Sequence, residues 1–439
     1  MKPAQRIRVR ETACNSTHFL VQSNMPYKTT NTTATVQLVA LRQLDPATHA
    51  LCDTLRREAG RCWSEMVQAH VAAREQGVWL AEADLNALTK GHRYALHSQS
   101  IQFLAQQLLA NVATARQNRA AGKGDANYPY RAKAYQTVVW KGQWIRVVDG
   151  QLVLPNGRKQ RDLVLSLPER FRAAHIRQVA LVWRADHFQL AITIEGPPDP
   201  PERADGLHAG VDLGEINIAA VVTERGDALV LNGRYLRSLK RLRNKRHSTL
   251  TAKLTRCRKG SRRWKRLTKR KHQASAKFYR QQRHVLHTAS RRLADFARAR
   301  GVRRLAIGDV RDIADGTDKG RKTNQKLSQW ARGQFERYVQ YKVRGFGGTS
   351  AHVPEDYSTR TCSACGHVHT SAPRGRTFRC SGCGVSVNRD ANGASNICSR
   401  AMFGGYGRIQ VRQTTYRHAC HVVVPRTRAR GSPPVAARP

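Results

Sequence analysis

The residues best suited to chemistry lie in the second half of the chain. Cys362-x2-Cys365-x14-Cys380-x2-Cys383 is a pair of cysteine knuckles. Each knuckle presents two thiolates on one side of a tight turn, and two knuckles close a tetrahedral four-sulfur site with no open position for water. The chemistry expected is structural Zn²⁺, holding a ribbon too short to keep a core of its own. His367 and His369 lie between the pairs and are surplus to four thiolates. Two carboxylate motifs flank this region. Gly210-Val211-Asp212-Leu213-Gly214-Glu215-Ile216-Asn217 ends an apolar strand. A carboxylate there, with glycine beside it to admit a ligand closely, suits a divalent metal on a phosphate; a purely structural aspartate at a strand end is the plainer reading. Asn388-Arg389-Asp390-Ala391-Asn392-Gly393-Ala394-Ser395-Asn396-Ile397 directly follows the second knuckle and opens a helix. Taken alone, Asp390 in its first turn is a partner for the helix dipole.

The chain has 439 residues, about three domains' worth, and its 77 Lys+Arg against 30 Asp+Glu give a net charge of +47. A compact chain so basic repels itself and needs a polyanion to neutralise it. Nucleic acid is the first partner expected and an anionic membrane surface the second. This argues against a small-molecule enzyme working alone and against a secreted receptor. No run of 18 apolar residues exists to span a bilayer. The basic N-terminus has no apolar core behind it, so it does not read as a secretory signal, and Met25 offers a second start. Cysteines grouped in knuckles fit a reducing cytosol, so the location expected is cytoplasmic and nucleoid-associated.

The positive charge is concentrated. Between Gly233 and Arg304 the only acid is Asp295. Arg241, Arg243, Lys245, Arg246, Arg262, Arg263, Lys265, Arg266, Lys269, Arg270 and Lys271 alternate there with leucines and aromatics. This pattern predicts two antiparallel basic helices tracking a phosphate backbone. Trp264 and Tyr279 either stack on nucleotides or, the commoner case, pack between the helices.

The elements that must carry these residues can be read by periodicity. Residues 33–43 are β-branched and alternating, a strand. From Pro46, Leu51, Leu55, Ala59, Trp63, Val67 and Val71 recur every fourth residue and predict a helix. A second helix follows through Ile101, Leu104, Leu108 and Val112. Strands return at 138–148 and 152–154 about the hairpin turn Asp149-Gly150, and at 176–184 and 188–194. The run 196–201, Gly-Pro-Pro-Asp-Pro-Pro, reads as a stiff linker and a domain boundary. Beyond it come a strand over 208–222, the basic helices, a buried strand over 303–310 and a helix over 326–343. The organisation expected is a disordered leader (1–32), a β-barrel-like wedge (33–46 and 129–197) interrupted by a helical recognition insert (47–128), an α/β nuclease domain (206–356 and 387–405), a zinc ribbon (357–386) and a basic disordered tail (406–439).

In this order, strand-Asp, basic helices, second strand, zinc ribbon and Arg-Asp-x-Asn-Gly-Ala-x-Asn, the chain resembles the TnpB (OrfB) family of transposon-encoded proteins and their descendants, the type V CRISPR effectors. The resemblance covers residues 30–405. It rests on 210–214 (GVDLG), 357–366 (YSTRTCSACG), 378–384 (FRCSGCG) and 388–396 (NRDANGASN). It implies a fold similar to RuvC and RNase H, with the zinc ribbon ahead of the last catalytic aspartate. It further implies an RNA-guided DNA endonuclease whose guide RNA pairs with double-stranded target DNA beside a short motif. Asp212 and Asp390 are then catalytic, with two Mg²⁺ ions about 4 Å apart, and Arg389 is either a positioner of the scissile phosphate or half of an ordinary salt bridge. At this length the transposon-encoded form is expected rather than the CRISPR form.

The chain departs from the family at the second acid. The pattern there ends a strand with Glu-Asp, and the matching stretch here is Leu305-Ala306-Ile307-Gly308-Asp309-Val310. Asp309 is next door but alternates to the other side of the strand. The segment Val353-Pro354-Glu355-Asp356 is expected to run parallel and adjacent, so Glu355 can reach the space left by Gly308; it is the favoured replacement. The remaining reading is a guided DNA-binding protein that does not cut. Two different classes rival all of these, a conventional zinc-ribbon DNA-binding protein and a transposase that joins DNA ends without RNA.

Overall fold

In the computed structural model, residues 32–122, 124–311, 320–371, 373 and 375–420 are described. The leader before residue 32 and the tail beyond 420, expected to be disordered, lie outside them.

The first strand, β1 (Thr32–Leu41), leads into α1 (Pro46–Glu75). Proline at the first turn and an N-cap suit a helix start, and Asp45 supplies the cap, its carboxylate accepting from the Thr48 amide at 2.9 Å. The fourfold stripe is the buried face: Leu55, Ala59, Trp63 and Val67 are all covered. A short α2 (Glu82–Leu88) escaped the periodicity, and α3 (Ser98–Ala120) buries Leu104, Leu108 and Val112. Six strands follow: β2 (Val138–Lys141), β3 (Arg146–Val148), β4 (Gln151–Leu154), β5 (Leu163–Ser166), β6 (Ile176–Trp183) and β7 (Phe188–Pro198).

Asp149 and Gly150 turn β3 into β4 with φ of 50° and 73°, the double positive φ of a type I′ hairpin. The strand expected over 138–148 is broken at Gly142, where a Cβ would stand 2.5 Å from the Ile176 carbonyl oxygen. The strands form two sheets, β1-β7-β6-β2 and β3-β4-β5, and no ladder joins them among the described residues. The wedge expected here is thus built of two sheets that share one core. Leu55, Trp63 and Leu104 of the helices share one core with Leu152, Leu165, Phe188 and Leu190, so the helical insert is built into the strand module. Nor is 196–201 wholly a linker, since β7 runs on through Pro198 at the end of its ladder with β1.

The second half builds a six-stranded sheet. Its elements are β8 (Leu207–Leu213), β9 (Asn217–Thr223), β10 (Asp227–Asn232), α4 (Arg234–Thr255), α5 (Arg262–Ala299), β11 (Val302–Gly308), α6 (Arg321–Ser328), α7 (Arg332–Arg344), β12 (Thr349–Val353), β13 (Thr377–Arg379), β14 (Ser386–Asn388), α8 (Arg389–Phe403) and β15 (Gln413–His418). The strand order is β12-β11-β8-β9-β10-β15. The strand expected over 208–222 is two strands, because the chain reverses at 214–216 and β8 pairs antiparallel with β9. Likewise the helix expected over 326–343 is two, α6 and α7. As expected, β12 runs parallel beside β11. The tail expected to be disordered from 406 instead contributes β15, parallel to β10. Its alternation is polar because only one edge of that strand is paired.

Helices cover both faces. Val285, Leu286 and Leu293 of α5 and Phe335 and Val339 of α7 pack on Val211, Leu213 and Ile307 from one side. From the other, Ala391 and Ala394 of α8 meet Ala220 and Val222. This second contact is backbone-close at Gly210, where a Cβ would overlap the Ala394 carbonyl oxygen and the Cys398 amide. Neither atom can retreat without lifting the helix. Gly210→Ala is therefore expected to cost about 3 kcal/mol, read as a lowered Tm in thermal melts; an unchanged Tm would contradict this packing.

Candidate catalytic and metal-binding site

The parallel strands β8 and β11 end at the same edge of the sheet, where ligands of such sheets sit. Asp212 is the penultimate residue of β8 and alternates to the face covered by α8. It sits hard against Gly393, whose Cβ, if present, would stand 2.9 Å from the Asp212 carboxylate oxygen. Among the described residues nothing donates a hydrogen bond to this carboxylate. Burial pushes its pKa well above the ordinary aspartate range, and the charges of Asp390 and Glu355 add to the rise, while Arg389 opposes it. Both neighbouring carboxylates thus bear on Asp212.

Gly308 ends β11, and the space above it is filled. A Cβ there would stand 2.5 Å from Glu355 Oε2 and 2.8 Å from the Ile397 Cδ1. Glu355, two residues past β12, therefore lays its carboxylate over the bare backbone of Gly308. Burial, with the charges of Asp309 and Asp356, raises its pKa to about 7. Asp309 is committed elsewhere. Both of its oxygens bind the Arg311 guanidinium, at 2.9 and 2.6 Å, and those hydrogen bonds hold its pKa down to about 2.

Asp390 follows the N-cap of α8, where Asn388 accepts from the amides of Asp390 and Ala391. Asn217, at the start of β9, donates to Asp390 Oδ2 at 2.7 Å. Arg376 reaches the same oxygen from the ribbon at 3.2 Å, and Arg389 reaches Oδ1 at 3.3 Å. Arg389 also donates to the Pro373 carbonyl, so the ion pair foreseen for it is formed.

The four cysteines are brought together as their spacing requires, with all four sulfurs within 4.8 Å of one another. The Cys362–Cys383 and Cys365–Cys380 sulfurs are each 3.7 Å apart, close to the about 3.8 Å edge of a tetrahedron with 2.3 Å Zn–S bonds. The four sulfurs are thus gathered at close to the spacing a Zn²⁺ ion needs. Among the described residues this is the one group of three or more cysteine, histidine or acidic ligands drawn close enough to hold a single metal ion. His367 binds Ser381 at 3.2 Å, away from the sulfurs.

The second half of the helix motif has a different task. Asn392 and Asn396, one turn apart, both donate to the Thr361 carbonyl, at 2.8 and 2.7 Å. Asn392 accepts from the Ser363 amide at 2.9 Å, and Asn396 donates to the Ser358 carbonyl at 2.8 Å. The three partner residues lie in the first knuckle or on the approach to it, so the helix that starts at Asp390 is clamped to the ribbon. The four-residue spacing of these asparagines was a usable signal, because it puts both amides on one helix face. Arg376 gave no signal in the sequence, and Asn217 only its place in the first motif.

The basic helices are antiparallel, and three cross-bonds fix their register: Arg243 to Tyr279, His247 to Ser275 and Lys271 to Thr251. Arg241, Lys245, Arg246, Arg262, Arg263, Lys265, Arg266, Lys269 and Arg270 are exposed. Arg243 and Lys271 are half-buried braces, and Arg243 lies over the Phe278 and Tyr279 rings. Trp264 is half-buried, and Tyr279 is exposed. No helix among the described residues is long and apolar enough to cross a membrane.

Comparison with known proteins divides along these elements. Residues 191–314 match the family model OrfB_IS605, "Probable transposase", and residues 333–397 match the Cas12f1-like TNB domain. A Mycobacterium tuberculosis protein described as "Putative RNA-guided DNA endonuclease" is 32% identical over 217 residues, 47% of this chain and 45% of that protein. "CRISPR-associated endodeoxyribonuclease Cas12f1" of Sulfoacidibacillus thermotolerans is 27% identical over 112 residues, 25% of each chain. The chain thus spans less than half the length of these curated relatives. In fold it is similar to the protein in the "Cryo-EM structure of the Cas12f1-sgRNA-target DNA complex", with a TM-score of 0.57 at 13% identity over 81% of this chain and 83% of that one. Asp212 and Gly308 fall in the segment that matches the OrfB_IS605 model, and Glu355, the four cysteines and Asp390 in the segment that matches the Cas12f1-like TNB model.

Proposed function

We propose that this protein is a transposon-encoded, RNA-guided DNA endonuclease with a RuvC-like site. The observation that carries the reading is the meeting of Asp212, Glu355 and Asp390 at one sheet edge, with Glu355 laid over Gly308. A buried carboxylate without a hydrogen-bond donor, raised further by two neighbouring carboxylates, makes with them a donor set for divalent cations. Asp212, Glu355 and Asp390 would hold two Mg²⁺ ions. Such ions, when bound, supply the charge that activates water and stabilises the leaving oxygen. Arg376, Arg389 and Asn217 orient Asp390, and Asp309 stays outside, bound to Arg311. The four-cysteine ribbon takes Zn²⁺ as a structural ion. The exposed cations of α4 and α5 follow the backbones of guide RNA and target DNA, reading shape rather than sequence. The residues before about 198 serve as wedge and recognition module.

Two measurements test this together. Sequencing RNA from the purified protein should give one discrete species, and a conventional repressor or transposase would carry none. With that RNA, Mg²⁺ and a matching duplex, the parent should cut and Asp212→Ala should bind without cutting. Guided binding by both, with cutting by neither, would identify an inactive guided binder instead.

A further inference from the structure

Between Glu355 and the ribbon the chain turns through a strained residue. The Ser358 amide donates to the Glu355 carbonyl at 3.0 Å, closing a four-residue turn over Glu355, Asp356, Tyr357 and Ser358. Its third residue, Tyr357, has φ of 61°, a conformation that turns of this kind give to glycine or asparagine. For a bulky side chain it is an outlier and costs folding energy. Among the described residues Tyr357 is the largest side chain held at positive φ. Packing does not offset that cost, because the residue is 62% exposed. The conformation persists because the turn is fixed along its length. Glu355 lays its carboxylate against Gly308, and the Ser358 carbonyl accepts from Asn396 at 2.8 Å. The Tyr357 carbonyl accepts from the amides of Arg360 and Thr361 at 2.9 and 3.0 Å. Strain that stability does not use, beside an acid of the site, points to function.

We propose that Tyr357 is a stacking platform for a base of the DNA strand to be cut, next to the phosphodiester that reaches Glu355. This deepens the proposed function and rests on it. Two residues of chain span at most about 7 Å, so the ring is rooted about one nucleotide's length from Glu355. Bases of any sequence stack on an exposed aromatic ring, which suits a protein that leaves sequence reading to RNA. Arg360 lies over the ring, with Cζ 5.4 Å from its centroid, within cation–π range. Its guanidinium sets positive charge beside the phosphate of a stacked nucleotide. Stacking needs an unpaired base, and of the strands in guided cutting the one brought to Glu355 is the DNA strand to be cut. The turn carries Glu355 at one end. At the other, the Ser358 carbonyl is fastened by Asn392 and Asn396 to the helix of Asp390. A base on Tyr357 is thereby located relative to two of the three acids.

The test uses the full chain with its co-purifying RNA, Mg²⁺ and matching duplex DNA. Tyr357→Ala is expected to lower kcat/KM for cutting about tenfold, and Tyr357→Phe, which keeps the ring, to cut like the parent. Tyr357→Gly removes ring and strain together. It should cut as slowly as the alanine variant while its Tm does not fall; a merely structural tyrosine would lower the Tm instead. A second set of substrates carries one abasic position, moved base by base across the cut bond. One such position should slow the parent about tenfold and leave Tyr357→Ala no slower than on intact DNA, because ring and base are partners in one contact. If Tyr357→Ala cuts at the parent rate, or is slowed yet responds to every abasic position as the parent does, the platform is overturned and the nuclease reading stands. A parent that cuts no guided DNA would overturn both.

Discussion

Moving one carboxylate across the site, Gly308→Glu together with Glu355→Ala, should restore DNA cutting that Glu355→Ala alone lowers by at least about 10²-fold. The expectation follows from where Glu355 stands. Its Oε2 occupies the space next to Gly308, so a carboxylate rooted on β11 and one rooted beyond β12 arrive at the same place. The two origins exclude each other. Gly308→Glu on the parent background places its Cβ 2.5 Å from Glu355 Oε2, so it should lose activity rather than gain it. With Glu355 trimmed, only the end of Ile397 remains in the way, and that side chain can turn. Cutting rates of the parent, both single variants and the double variant decide the matter. Wild-type cutting by Glu355→Ala, with Asp212→Ala inactive, would show that the second acid lies elsewhere.

Stripping the ribbon of its metal should be as severe for cutting as losing a carboxylate, although the cysteines are not among the proposed catalytic residues. Structural zinc in such small ribbons contributes about 10–16 kcal/mol of apparent binding energy, which is also folding energy. Without it four sulfurs 3.7–4.8 Å apart have nothing to share. The ribbon then releases Arg376 from Asp390 and the Ser358–Ser363 backbone from Asn392 and Asn396. A strong chelator, or Cys380→Ser, is expected to abolish amide protection from about residue 358 to the start of α8 and to reduce cutting at least about 10²-fold. Restoring Mg²⁺ alone should not help, whereas Zn²⁺ should. Full cutting by the zinc-free protein would uncouple the two sites.

The parts of this site legible in the sequence were those whose meaning is local. The cysteine quartet is readable because a knuckle is four residues long. Asp212 and Asp390 are readable because glycine and asparagine neighbours mark close approach and helix start. Glu355 was readable at one remove, because a missing side chain in one strand directs attention to the strand that must lie beside it. The remainder depends on pairs distant in sequence. The Asn217 bond to Asp390 and the Arg376 bond from the ribbon depend on how β9, α8 and the ribbon dock, and composition says nothing of that. β15 was hidden because Gln413-Thr414-Thr415-Tyr416-Arg417-His418 is polar and basic, a composition that signals disorder when no partner strand is in view.

That strand bears on how the protein is made. β10 carries Ala228, Leu229, Val230 and Leu231, all buried, and its outer edge is covered by β15. The ribosome delivers β15 long after β10, with both basic helices, the ribbon and α8 in between. For that whole interval a nascent chain displays an apolar strand with unpaired amides, the arrangement most open to pairing with another chain. The same interval keeps Asp390 unmade, so an immature chain holds the positive charge of α4 and α5 well before it can bring Asp390 beside Asp212.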